Sequence, residues 1–287
     1  MYTSVEMILE HKSHLRQLLA SLVAGLGSFS AGCGLAWPSV GLRGLEVDDV
    51  ELSAAEESQL VSVFLLAAAA SPLLSGLSIS TIGRKVTLGL LALPLLAGWL
   101  LLAFSQMSLP LLMLGRILTG FAGGAFLLVS TVYSEEVAEP RLRGALGSIA
   151  QLLVTFGILS VQLNCNTEWR LLSGLCAIPP TLLLLSMPWL PPSPVFLASK
   201  GRLLEAGESL KSLRGVGIEL EEEMKRIVEE VEKEGNSVRL CHLLKERKHC
   251  QPFLLAIALM TLAQLVGIDY IISYTTIIFE VLLCSKK

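Results

Sequence analysis

The chain has 287 residues, of which 53% are hydrophobic and only 16% charged, with a mean hydropathy of +0.65 and a net charge of −3. That much apolar surface argues against a water-soluble enzyme of this length, and the charge gives no pull towards nucleic acid. The six cysteines (33, 165, 176, 241, 250 and 284) are scattered without a CxxC pair, which argues against a disulfide scaffold or zinc ribbon; 6% aromatic residues are too few for a nucleic-acid stacking platform.

Charge-free stretches organise the chain. Residues 17–42, 58–83, 86–115, 144–167, 171–199 and 252–268 carry no Asp, Glu, Lys or Arg. A span needs roughly 20 apolar residues, because a hydrocarbon core of about 30 Å is crossed at about 1.5 Å per residue. The run from 86 is broken near Ser105–Pro110 and continues past Arg116, so it predicts two helices. The run from 252 continues past Asp269. Seven spans are expected, near 17–40, 58–82, 86–106, 111–132, 144–163, 171–189 and 252–281. Lys12 and Arg16 ahead of Ser30-Ala31-Gly32-Cys33 look like a lipoprotein leader, but the apolar run is too long for one and further spans follow.

The domain reading follows: residues 1–16 as a cytoplasmic N-terminus, 17–190 as a six-helix bundle, 191–251 as a cytoplasmic helical segment, and 252–287 as a seventh span with its tail. With the N-terminus inside, 17 of the 22 Lys and Arg residues fall on the cytoplasmic side. The first outer loop is acidic instead, with Glu46, Asp48, Asp49, Glu51, Glu56 and Glu57. Between spans six and seven, prolines 188, 191, 192 and 194 stop the sixth helix. Arg202–Arg214 then reads as an amphipathic helix carrying Leu203, Leu204, Ala206, Leu210 and Leu213. Glu219–Glu234 reads as a second, with Leu220, Met224, Ile227, Val228 and Val231 on one stripe. Those stripes predict helices packed on the bundle rather than a solvated linker.

Catalytic constellations are absent: the sequence holds no GxSxG, HExxH or Walker loop. Cys241-His242 and His249-Cys250 offer four possible zinc ligands within ten residues, yet they sit in a basic stretch with Lys245, Arg247 and Lys248 and read as part of it. The informative residues are polar groups within apolar helices. Arg116 lies in span four, where an ionised side chain is costly unless it is paired, wet or snorkels to the interface. Gln151 lies in span five, and Gln264, Asp269 and Tyr274 in span seven. Gln264, Gly267, Ile271 and Tyr274, at +3, +7 and +10, share roughly one helix face. A neutral amide suits a hydroxyl-rich ligand, although an interhelical hydrogen bond is the plainer role for a membrane glutamine.

Several stretches resemble the sugar porter branch of the major facilitator superfamily. They are Gly83-Arg84-Lys85, Gly115-Arg116 with Gly120, Tyr133-Ser134-Glu135-Glu136-Val137 with Arg143-Gly144, Gln151-Leu152 with Gly157, Glu168-Trp169-Arg170, Ser193-Pro194 with Gly201-Arg202, and Gln264-Leu265, Gly267-Ile268, Tyr274 and Ile278-Phe279-Glu280. There are departures: Ser80-Thr81 replaces an Asp-Arg pair, Thr131 a Pro, Pro192 a Glu, Val195 an Arg, Ala263 a Gln and Asp269 an Asn.

The resemblance implies an all-α polytopic fold of twelve helices in two bundles, of which this chain carries the first bundle, the cytoplasmic helices and helix seven. It implies sugar carriage (a hexose such as glucose, or trehalose) by alternating access, as an N-terminal portion. The implied sugar-binding residues are Gln151, Gln264, Asp269 and Tyr274. Arg84, Arg116, Glu136 and Arg143 form the implied gating network. No cofactor or metal is implied. The partners are a sugar and the bilayer, with protons a further candidate through Asp269, and the plasma membrane is the expected location. A non-transporting sugar sensor is the alternative, on the thinned charge motifs.

Overall fold

Within a bilayer the backbone must satisfy its own N–H and C=O groups, and a long apolar run does so as a helix. The computed structural model describes residues 2–48, 52–105, 108–215, 219–235, 247–275 and 278, and contains no strand among them. Seven of its helical stretches are long and apolar enough to cross a membrane: Ser13–Val47, Ala54–Thr81, Arg84–Ala103, Leu109–Val137, Arg143–Leu163, Trp169–Ser186 and Cys250–Ser273. The seven expected spans are therefore present.

Helices α1 (Tyr2–Ala24) and α2 (Leu26–Val47) make the first span. The second is α3 (Ala54–Thr81), opened by a capping box in which Ser53 and Glu56 exchange hydrogen bonds. Helix α4 (Arg84–Ala103) follows a turn at Gly83, whose φ of +91° suits glycine alone. Helix α5 (Leu109–Val137) starts with Pro110 in its first turn, where the missing N–H costs nothing. Helices α6 (Arg143–Gly147) and α7 (Ile149–Leu163) form the fifth span. The sixth is divided into α8 (Trp169–Cys176) and α9 (Ile178–Ser186), because Pro179 and Pro180 cannot donate. Short helices α10 (Pro194–Ser199), α11 (Leu203–Arg214) and α12 (Glu219–Gly235) come next. The last span comprises α13 (Arg247–Leu265) and α14 (Ile268–Ser273).

Helix α5 is the hub, packed against α2, α3 and α4, while α2 lies along α7 and also meets α8 and α9. Trp37, Trp99, Trp169, Tyr133 and Phe126 are among the bundle's largest fully buried side chains. The indoles are satisfied by hydroxyls: Trp37 Nε1 donates to Ser173 Oγ at 2.8 Å and Trp99 Nε1 to Ser30 Oγ at 2.7 Å. Outside, Leu66, Leu73, Leu77, Leu152, Phe156 and Leu163 are each more than half exposed. Such apolar exteriors are unfavourable in water and suit lipid.

The segment after span six packs much as its stripes predict. Met224, Ile227 and Val231 of α12 close over Leu197, Ala198 and Ala206. In α11, Ala206, Leu210 and Leu213 are buried, but Leu203 and Leu204 sit exposed in its first turn. Helix seven departs from a single continuous rod. Gly267 adopts φ +72° and donates to the Gln264 carbonyl, so α13 ends before α14 begins. Cys241, His242, Phe279 and Glu280 lie outside the described residues, and among those described no cluster suited to a metal occurs.

Candidate functional site: a charged latch and a polar face

One end of the bundle is tied by a charged latch. Arg84 begins α4 and Glu136 lies in the last turn of α5, so each charge opposes the dipole of its own helix. Pairing offsets both penalties. Arg84 Nη2 and Nε donate to Glu136 Oε1 at 2.6 and 3.0 Å, and Nη1 donates to the Ile79 carbonyl at 3.1 Å. The other carboxylate oxygen, Oε2, accepts from Ser193 Oγ at 2.6 Å. Ser193 also caps α10, accepting from the Phe196 N–H. The Phe196 ring lies under the Arg84 guanidinium and against Gly83, where a Cβ would come within 2.5 Å of it. Tyr133 Oη closes the group by donating to the Pro191 carbonyl at 2.7 Å.

A second network adjoins the first. Arg214, whose side chain is only 8% exposed, pairs with Glu223 at 2.9 Å and approaches Glu139 at 3.9 Å. Its Nη1 donates to the Val137 carbonyl at 2.8 Å. Gln17 Oε1 accepts from the Glu139 N–H, and Arg16 donates to the Ser212 carbonyl. Helices α1, α5, α11 and α12 are thereby joined. A cavity of about 430 Å³, edged by Arg16 and Trp189, lies between α1 and the link after α9.

Of the four expected gating residues, Arg84 and Glu136 are in direct contact. Arg143 is exposed at the start of α6 and pairs with no described residue. Arg116 lies apart, within the bundle, at 1% exposure. It does not snorkel: Nη1 donates to the Gly34 carbonyl of α2 at 2.7 Å and Nε to the Leu60 carbonyl of α3 at 3.1 Å. Ser80 and Thr81, which stand where an Asp-Arg pair was expected, return their hydroxyls to carbonyls of their own helix.

The expected sugar-binding residues lie on α7 and on the two pieces of helix seven. Helix α7 carries three stripes. Ala150, Val154, Gly157 and Val161 are buried. Leu152, Phe156 and Leu163 form the apolar exterior. Gln151, Thr155 and Gln162 line a third stripe at helical spacing, with Gln151 and Thr155 exposed. Gln162 Nε2 donates to the Ile272 carbonyl of α14 at 3.4 Å, and Ser273 Oγ to the Leu35 carbonyl of α2 at 3.4 Å. Helix α14 thus rests beside the polar stripe. Gln264 is exposed on α13, across the break at Gly267 from Asp269 of α14 and from Tyr274 at its C-terminal end. Tyr274 is half-buried, with its ring 4.6 Å from that of Tyr270. At the opposite end, Trp169 Nε1 donates to Asp48 Oδ2 at 2.9 Å and Arg170 approaches the same oxygen at 3.7 Å.

The family model described as sugar (and other) transporter matches residues 25–287. The chain belongs to that family. Among its relatives, human solute carrier family 2, facilitated glucose transporter member 6, is 36% identical over 269 residues, which is 92% of this chain and 53% of the relative. The facilitated trehalose transporter Tret1 of Polypedilum vanderplanki is 31% identical over 271 residues, again 92% of this chain and 53% of the relative. The chain thus spans about half the length of these curated relatives. A partially occluded, inward-open structure of the xylose transporter XylE from E. coli superposes with a TM-score of 0.74 at 21% identity, over 90% of this chain and 66% of the other. That likeness establishes the major facilitator fold for this family member.

Ser193, Arg214, Glu139, Glu223 and Gln17 were missed as network residues. Ser193 had a signal, since a serine before proline at a helix start is a capping pattern. The others had none, because their partners come from separate helices.

Proposed function

We propose that the chain forms the first-bundle side of a sugar pathway, carrying a hexose or trehalose by alternating access with a second bundle. One observation supports this above the rest: the unpacked polar stripe of α7 lies beside the place where broken helix seven rests on α2. Discontinuous helices at a bundle interface are a recurrent way to build a transport site. The names of the relatives that carry glucose and trehalose support that substrate class.

In this reading Gln151 and Gln264 hydrogen-bond sugar hydroxyls, with Asp269 and Tyr274 beside them. The Arg84–Glu136–Ser193 latch steadies one gate state, while Arg143 pairs in another. Protons are a co-substrate at Asp269. The N-terminus and α10–α12 face the cytoplasm, and the protein resides in the plasma membrane.

The test is uptake of labelled glucose and trehalose by this chain completed with the second bundle of a relative. A buried hydroxyl left unpaired costs about 1–3 kcal/mol, so Gln151→Ala or Gln264→Ala is expected to raise the apparent sugar constant about ten-fold. Unchanged transport with both replaced assigns the glutamines to packing. Sugar binding without flux favours the sensor. Uptake that strengthens at acid pH with Asp269, and not after Asp269→Asn, supports proton coupling; superimposable profiles remove Asp269 from the mechanism.

A further inference from the structure

Pro38 lies inside α2 and has no N–H, so the carbonyl four residues earlier, that of Gly34, loses its helical partner. In a membrane span no water is at hand to replace it. Arg116 Nη1 donates to this same oxygen, while Nε reaches α3 at Leu60. The guanidinium lies 4.4 Å from the centre of the Phe64 ring and 5.4 Å from that of Trp37, the residue directly before the proline. No carboxylate of a described residue pairs with it. The charge is therefore met by carbonyl dipoles and ring faces.

Two other prolines in the bundle are treated in a related way. Pro72 releases the Ala68 carbonyl, which accepts from Ser71 Oγ at 2.9 Å. Pro180 releases the Cys176 carbonyl, which accepts from Ser30 Oγ at 3.4 Å. A hydroxyl suffices in both cases. At Pro38 the donor is a cation that spans two helices, and the adjoining carbonyl of Leu35 is the one on which Ser273 of α14 rests.

We propose that Arg116 is a positioning residue: it caps the carbonyl that Pro38 releases and so holds the surface of α2 on which α14 sits. The role is independent of the solute carried, and its readouts are folding and accessibility, not flux.

The test is a double-mutant cycle in the full chain, using Arg116→Met, Pro38→Ala and the pair. One readout is the fraction remaining monodisperse in detergent after a fixed heat step. The other is the labelling rate of Ser273→Cys in a background without other cysteines. Leaving one buried carbonyl unpaired is worth about ten-fold in such a ratio. Arg116→Met is expected to lower survival and raise labelling by about ten-fold, and Pro38→Ala, which returns an N–H to Gly34, is expected to reduce both effects to under about three-fold. Pro72→Ala, whose carbonyl already has Ser71, should rescue neither. Equal losses with and without Pro38, or equal rescue by Pro72→Ala, overturn the proposal. Where Arg116→Met yields no folded protein, Arg116→Lys replaces it, since one ammonium does not reproduce the two-helix fork. A lysine deficit that Pro38→Ala leaves intact overturns the proposal as well.

Discussion

At the scale of single residues, Glu136 carries the most. Its two oxygens separate two tasks: Oε1 ties α5 to α4 through Arg84, and Oε2 ties α5 to α10 through Ser193. Both side chains of the ion pair are mostly buried, so removing one member leaves a charge with little water around it. Ser193→Ala is expected to cost about 1 kcal/mol and Arg84→Ala about 2–4 kcal/mol. Because they share a carboxylate, the double variant should lose less than the sum, by about 0.5 kcal/mol or more. Thermal unfolding of the four proteins measures this, and strict additivity means that the two contacts are independent. Arg84 and Glu136 were legible in the sequence through their motifs. Arg214 was not, because an arginine closing an amphipathic helix looks like any solvated charge until Glu139, Glu223 and the Val137 carbonyl arrive from elsewhere.

At the scale of elements, small residues set how closely the helices approach. Gly32 of α2 and Gly157 of α7 face one another across a backbone contact: a Cβ at Gly32 would lie 2.1 Å from the Val154 carbonyl oxygen, and one at Gly157 would lie 2.1 Å from that of Phe29. Neither backbone can yield as a flexible side chain does. Gly157→Ala is expected to push α7 from α2 and cost about 1–3 kcal/mol, whereas Gly174→Ala, with open space at its Cβ, should be neutral or better in heat-stability measurements. Equal behaviour of the two variants contradicts the close contact. Helix positions and lengths were largely legible, since charge-free runs mark them directly. The division of helix seven was not. Gly267 reads as another small residue in an apolar run, and its φ of +72° depends on α14 turning to meet α2. That single dihedral separates Gln264 from the face of Tyr274.

At the scale of the whole molecule, burial is uneven. The 18-residue window of the last span has none of its residues buried, against 61% for the first and fourth spans. Helix seven touches the bundle through α14 and leaves α13 uncovered. Orientation is the testable consequence of the charge distribution. The segment between α7 and α8 holds Cys165, and the same end of the bundle carries Asp48 with Trp169 and Arg170. Cys250 lies at the start of α13, after the Lys- and Arg-containing segment that begins at Lys200. Lys and Arg side chains resist translocation, so the end holding Arg84, Arg141, Arg143 and the residues after 200 is expected inside. In intact cells expressing variants with one cysteine each, an impermeant maleimide added outside should label Cys165. It should reach Cys250 only after permeabilisation. Cys33 and Cys176 are buried and serve as negative controls in both states. Labelling of Cys250 from outside, with Cys165 protected until the membrane is opened, would invert the bundle. It would then put the Arg84–Glu136 latch on the outer face, where it could not steady a cytoplasmic gate.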